Sequence, residues 1–325
     1  MLYTKSLIWE PTIAGRSVNL KLTPVHTIDL NFLGAAGAIA TYLIPHSQGA
    51  VLIESGPGST LNALQTGLAN HGLSVSNITD VFLTHIHLDH AGAAGWLARQ
   101  GARIHVHPVG APHLRNPEKL LASAARIYGE AMESMWGAFL PIPETQLSVL
   151  HDGEVVRING LQVQAIDTPG HADHHYVYLF EDICFSGDIG GVRPAGSRLL
   201  RLPMPPPEFH LEKWRLSLAR LKELGIRRIA PTHFGVFEDA DWHLDAVARE
   251  LDSIEAWIQA NLSDISSLEE LSERFLAWDS QRGRREQISS YQRIFDAVNP
   301  AWMSPAGIYR YWRKYRNPEA ALKNP

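Results

Sequence analysis

The chain has 325 residues, 45% of them hydrophobic and 19% charged, with a formal net charge of -5; that length allows one large domain or a core with an appendage, and that charge excludes a general polyanion binder, so no nucleic-acid partner is expected. Its single cysteine, Cys184, excludes an intramolecular disulfide and fits a reducing compartment. No stretch approaches the ~18 apolar residues that span a bilayer and the N-terminus lacks a long apolar h-region, so a cytoplasmic protein without a membrane partner is expected.

Residues 1–24 read equally as an edge strand or an arm. Strands follow over 27–33, 38–44 and 50–54, then a glycine-rich turn from Ser55 to Thr60 and a helix over 61–71. The turn lacks the Lys-Ser/Thr ending of a phosphate-binding loop, so it reads as structural. Ile78 to Leu83 is a short buried strand, and after it comes Thr84-His85-Ile86-His87-Leu88-Asp89-His90. In an extended turn His85 and His87 project to one side, because side chains alternate. As the chain curls into the helix over 91–99, Asp89 and His90 face a second point. Imidazole and carboxylate suit zinc and similar divalent ions. Another strand, 103–107, carries His105 and His107 with no acid after them; they read as structural or supporting groups.

Residues 109–148 read as an insertion. Apolar residues from Leu120 to Phe139 form a roughly helical stripe, which fits core packing, a lid or a dimer face. A hairpin turning at Asn159-Gly160 joins strands 154–158 and 161–166 and ends at Thr168-Pro169-Gly170-His171. Strands 176–180 and 183–186 end at Gly187-Asp188. A proline run from Pro203 to Pro207, a helix over 211–224 and a strand over 226–230 lead to Pro231-Thr232-His233-Phe234-Gly235. Beyond 240 the pattern is helical.

Seven ligand-type residues thus stand at strand ends: His85, His87, Asp89, His90, His171, Asp188 and His233. Two four- or five-coordinate ions need about this many ligands if one carboxylate bridges. The set Thr84-His85-x-His87-x-Asp89-His90, Thr168-Pro169-Gly170-His171, Ser186-Gly187-Asp188 and His233 resembles the metallo-β-lactamase-fold hydrolase superfamily, in its glyoxalase-II-like branch, over about residues 27–237. The resemblance implies an α+β, four-layer αββα sandwich with its site at one edge of the two sheets. It implies one ion on His85, His87 and His171, a second on Asp89, His90 and His233, and Asp188 between them. Zinc is the first expectation, with iron or manganese as alternatives. The implied activity is a metal-dependent hydrolase in which a hydroxide between the ions attacks a thioester, ester or lactone carbonyl of a small-molecule substrate. Asp89 is the carboxylate placed to orient that hydroxide or pass a proton to the leaving group.

The sequence departs from the family in three places. His233 lies in Pro-Thr-His-Phe-Gly, where many relatives have Gly-His-Gly. Asp188 stands near the position where class B β-lactamases use a cysteine, and Cys184 reads as a small buried residue on the preceding strand. His87 stands where the diiron flavoprotein branch has a glutamate. Phosphodiesterase and iron-dependent persulfide dioxygenase are the rival activities, and a binding protein on this fold ranks last. Asp173, His174 and His175 read as groups supporting the ligands or packing the strand.

The expected division is a catalytic domain over 1–240, with 109–148 as a lid-like insertion, and a helical region over 241–325 packed on it; a homodimer is left open. Near the end, Ile308, Tyr311, Trp312 and Tyr315 fall at i, i+3, i+4 and i+7, one face of a helix, which favours a packed helix over a nucleic-acid-binding tail despite the interleaved basic residues.

Overall fold

Apolar residues at successive positions along the central strands bury both of their faces, and two sheets with helices outside each are the result. A computed structural model describes residues 22–317 apart from 264, 266 and 287–290. Most of the segment read as an edge strand or an arm, residues 1–21, therefore lies outside the described residues, and 22–25 form no regular element. The first sheet runs in chain order: β1 (His26–Asp29), β2 (Ala40–His46), β3 (Gly49–Ile53), β4 (Ile78–Phe82), β5 (Arg103–Val106) and β6 (Leu147–Val149). The second has the order β11-β10-β9-β8-β7, from β7 (Val155–Ile158), β8 (Leu161–Asp167), β9 (Tyr176–Phe180), β10 (Ile183–Phe185) and β11 (Arg228–Ala230). Neighbours β3 and β4 are parallel in the first sheet, as are β10 and β11 in the second, so their C-terminal ends lie side by side.

Tyr42, Ile44, Val51, Ile53 and Phe82 of the first sheet meet Val163, Ala165, Tyr178 and Phe185 of the second in the inner core. The intervening residues Leu43, Leu52, Val81 and Ile104 face outward onto α1 (Leu61–Asn70) and α3 (Ala94–Arg99), beyond the single turn α2 (Leu88–Ala91). This is the four-layer αββα sandwich. The helix expected from residue 91 instead begins at Leu88 and breaks at Gly92. A Cβ on Gly92 would lie 2.7 Å from Pro57 Cα and 2.9 Å from the Gly58 nitrogen. The glycine-rich turn is thus a packing surface for the helix that follows the histidine motif.

The insertion forms α4 (Ala111–Arg115), α5 (Glu118–Tyr128) and α6 (Met132–Trp136). Strand β6, three residues at a sheet edge, has no counterpart in the sequence reading; it is only half-buried and shows no alternation. On the far side, Val177, Cys184 and Ile229 bury against α7 (Leu211–Lys222) and α8 (Ala240–Asn261), and this cluster continues into α9 (Leu268–Glu286) and, beyond α10 (Gln292–Val298), into α11 (Ser304–Tyr311). Cys184 is fully buried there, and burial pushes its thiol pKa far up, as the packing role requires.

The final helix corrects one expectation. Ile308 and Tyr311 are buried and Trp312 is half-buried, but Tyr315 is 42% exposed. From Trp312 to Arg316 the backbone widens into a π-helical turn, so residues four and seven apart no longer superimpose on one face. No helix among the described residues is long and apolar enough to cross a membrane.

Candidate metal centre

All seven strand-end residues singled out in the sequence converge at one edge of the sandwich. They form two groups, His85, His87, His171 and Asp188, and Asp89, His90 and His233, each with ligand atoms within 4.8 Å of one another. The loops that carry them leave β4, β8, β10 and β11, whose ends lie together because the two sheets face each other and β10 and β11 run parallel.

Four of the five histidines are held from behind. His85 Nδ1 is 3.0 Å from Thr84 Oγ1, His171 Nδ1 is 3.0 Å from the Pro203 carbonyl, and His233 Nδ1 is 2.8 Å from the Ala38 carbonyl. His90 Nδ1 is 3.0 Å from Glu54 Oε1. A bond to Nδ1 turns Nε2 toward the centre and fixes the tautomer. His87 is the exception and presents Nδ1, 3.0 Å from His85 Nε2 and 2.9 Å from His171 Nε2. Burial lowers the pKa of all three, His87 to about 3 with His171 adding to the effect. Three neutral imidazoles thus aim ring nitrogens at one point, the arrangement a borderline cation takes.

The second group is more acidic in character. Burial favours neutral rings for His90 and His233, but carboxylates outweigh it: Asp89 and Asp188 raise His90 well above its ordinary value, and Asp188 and Asp89 raise His233 to about 9. The carboxylates that attract protons there are equally suited to a divalent cation. Asp188 faces both groups. Its Oδ2 lies 3.2 Å from His171 Nε2 and its Oδ1 lies 3.3 Å from both His90 Nε2 and His233 Nε2. The latter approaches lack hydrogen-bond alignment, so His90 Nε2, His233 Nε2 and Asp188 Oδ1 are buried without a hydrogen-bond partner. Orphaned polar atoms of this kind are costly. Divalent metal binding fits this donor set and would satisfy all three.

Glu54 was missed by the sequence reading, which took it as the last residue of a strand. It is 1% exposed, adopts a left-handed backbone (φ 68°), and accepts from Thr84 Oγ1 at 2.5 Å, Thr232 Oγ1 at 3.0 Å and the His90 ring. It therefore ties together loops from β3, β4 and β11. An acid at a strand end before Ser-Gly-Pro-Gly was the available signal. Thr232, the residue that departs from the family's glycine, is what reaches Glu54 from the β11 loop. His175 stacks on His85 with ring centres 5.1 Å apart, His174 Nε2 is 3.1 Å from Glu208, and Asp173 pairs with Lys213. His105 and His107 pair with Asp80 and Asp167, away from the centre. At Gly187, with φ 50°, a Cβ would meet Thr84 Oγ1 at 2.6 Å and His175 Nε2 at 2.7 Å, so only glycine lets the turn bring Asp188 inward.

Above the centre lies a cavity of about 260 Å³. His87, Asp89, His171 and Asp188 form part of its floor, α5 and α6 supply one wall, and the proline run and residues 297–303 supply others.

The family profile of the metallo-beta-lactamase superfamily matches residues 34–233. The chain belongs to this superfamily. Among solved structures, a metallo-beta-lactamase family protein from Thermus thermophilus aligns over 89% of this chain and 93% of its own, with TM-score 0.58 and 23% identity, a likeness of fold. An atrochrysone carboxyl ACP thioesterase of Aspergillus fumigatus is 30% identical over 204 residues, 61% of this chain and 51% of that protein. A hydroxyacylglutathione hydrolase of Rhodopseudomonas palustris is 34% identical over 113 residues, 34% of this chain and 33% of that protein. This superfamily member thus spans about half the length of the fungal relative and less of the bacterial one.

Proposed function

We propose that the chain is a metal-dependent hydrolase that cleaves a thioester, ester or lactone of a small molecule. The observation that carries this reading is Asp188, whose two oxygens face two separate groups of ligand atoms on the floor of a cavity. His85, His87 and His171 would hold one ion, Asp89, His90 and His233 the other, with Asp188 shared and zinc the expected metal. Bound there, two divalent ions supply a water that is nucleophilic at neutral pH and a Lewis acid for the carbonyl oxygen. Asp89 lines the cavity and its Oδ2 lies 3.4 Å from both His90 Nε2 and His233 Nε2. Grouped with those two rings as a ligand and open to the cavity, the Asp89 carboxylate would orient the attacking water. Asp89 takes that water's proton as oxygen adds to the carbonyl carbon, and returns it to the departing thiolate or alkoxide. The names of the two relatives, a thioesterase and a hydroxyacylglutathione hydrolase, support acyl transfer to water over the phosphodiesterase alternative. The insertion, as a wall of the cavity, serves as the lid.

Metal analysis of the purified protein, with turnover measured on thioesters, lactones and phosphodiesters, tests the reading. Two divalent ions per chain and chelator-sensitive hydrolysis of an acyl substrate are expected. One ion per chain with oxygen consumption in the iron-loaded protein would overturn it.

A further inference from the structure

The cavity's walls are more apolar than its floor. Ile127 of α5 and Met303 line it, yet neither packs into a hydrophobic cluster among the described residues. Leu120, Met135 and Trp136 continue the same surface from the insertion. Two half-buried apolar side chains held against a cavity rather than a core form a surface for an apolar ligand. At about 260 Å³ the space holds roughly eight or more water-sized groups, too many for an acetyl or lactoyl group alone. The lining has one Lys or Arg, Lys119, which is exposed and has no ion-pair partner among the described residues. The thiols that carry acyl groups in cells bear amides with carboxylates or phosphates. An apolar wall with one cation on its solvent side does not match such a carrier, but it matches the acyl group.

Resting on the hydrolase reading, we propose that the chamber takes the acyl side of the substrate, and that this acyl group is large and apolar, a medium-length chain or an aromatic ring, with its polar thiol carrier left at the solvent edge beside Lys119. Ile127 is then a specificity-determining residue. It touches the acyl group and takes no part in bond breaking.

The test is kcat/KM of the metal-loaded full chain on S-acyl-N-acetylcysteamine thioesters from acetyl to decanoyl, with benzoyl thioester and S-lactoylglutathione alongside. Burial of each methylene favours longer chains, so a rise of about tenfold or more from acetyl to octanoyl is expected. S-lactoylglutathione should turn over no better than the acetyl compound. Ile127→Trp, which narrows the chamber, should abolish the rise, so that kcat/KM for octanoyl no longer exceeds that for acetyl. Ile127→Ala, a milder change for folding, should move the optimum to longer chains. A flat or falling series, or a preference for S-lactoylglutathione, overturns the acyl-chamber proposal and leaves the hydrolase reading standing. Absence of turnover on every thioester by protein that holds two ions and cleaves an ester or lactone overturns the chamber proposal alone; absence of turnover on thioesters, esters and lactones alike overturns the hydrolase reading and the chamber with it.

Discussion

In the metal centre beneath the cavity four of the five histidines have Nδ1 fixed by a hydrogen-bonding group behind the ring, whereas the roof of α5, α6 and residues 297–303 is held over it mainly by packing. Helices α5 and α6 each send a single buried side chain into the main core: Ala124, and Trp136, which stacks on Phe32 with ring centres 5.2 Å apart. The difference teaches where each kind of demand falls. Positioning ligand atoms to tenths of an ångström requires directional bonds from several strand ends. Accommodating an acyl group requires only shape and apolarity, which helices on a scaffold supply and can vary.

The comparison breaks most visibly at Asp188. Asp188→Ala removes the carboxylate that faces both ligand groups, so turnover should fall by roughly a thousandfold or more and metal content should drop. Elemental analysis beside steady-state rates checks this. Full metal content with normal turnover would show that the floor does not depend on a shared carboxylate. Glu54→Gln is the sharper probe, since it keeps shape and changes only charge and one acceptor. It should weaken metal affinity by about 10–100-fold through His90 while leaving the acyl-chain preference untouched. Chelator competition measures the first and the thioester series the second. A shift in chain preference would mean that floor and roof are coupled.

What the sequence made legible divides along the same line. The seven ligand-type residues could be read because each stands at or just after the end of a short apolar or alternating strand, and local patterns locate strand ends without any tertiary knowledge. Glu54 escaped for the converse reason. Its role comes from bonds to Thr84, His90 and Thr232, positions 30, 36 and 178 residues away, and the one local sign, an acid at a strand end before Ser-Gly-Pro-Gly, does not show which loops it ties. The roof was legible only as an apolar stripe from Leu120 to Phe139. Period alone does not say whether such a stripe meets core or cavity, and here both occur: Leu120 and Met135 touch the core while Ile127 faces the cavity alone. Strand β6 and the π turn after Tyr311 were invisible because three half-exposed residues carry too little pattern, and because a helix's widening depends on what packs around it.

The smallest expected effect concerns what holds the roof in place from behind. Helix α11 begins one residue after Met303, and its Gly307 packs so closely on the Met204 carbonyl that a Cβ would lie 2.1 Å from it. Ile308 and Tyr311 are buried beneath it, and the Tyr311 hydroxyl donates to the Glu212 carboxylate at 2.7 and 2.8 Å. Trp312 is only half-buried, at the start of the π turn. Full burial would make its truncation cost about 3–5 kcal/mol; with half the ring in water the cost of Trp312→Ala should be about 1–2 kcal/mol. Tyr311→Ala should cost more, because it removes both a buried ring and the partner of a carboxylate. Urea denaturation of both variants measures the ratio. Since Trp312 touches neither floor nor chamber, the thioester series of Trp312→Ala should match the parent protein. A loss of chain-length preference in Trp312→Ala would instead show that the roof's shape depends on the whole terminal helix, and that the selectivity assigned to Ile127 is set from farther away.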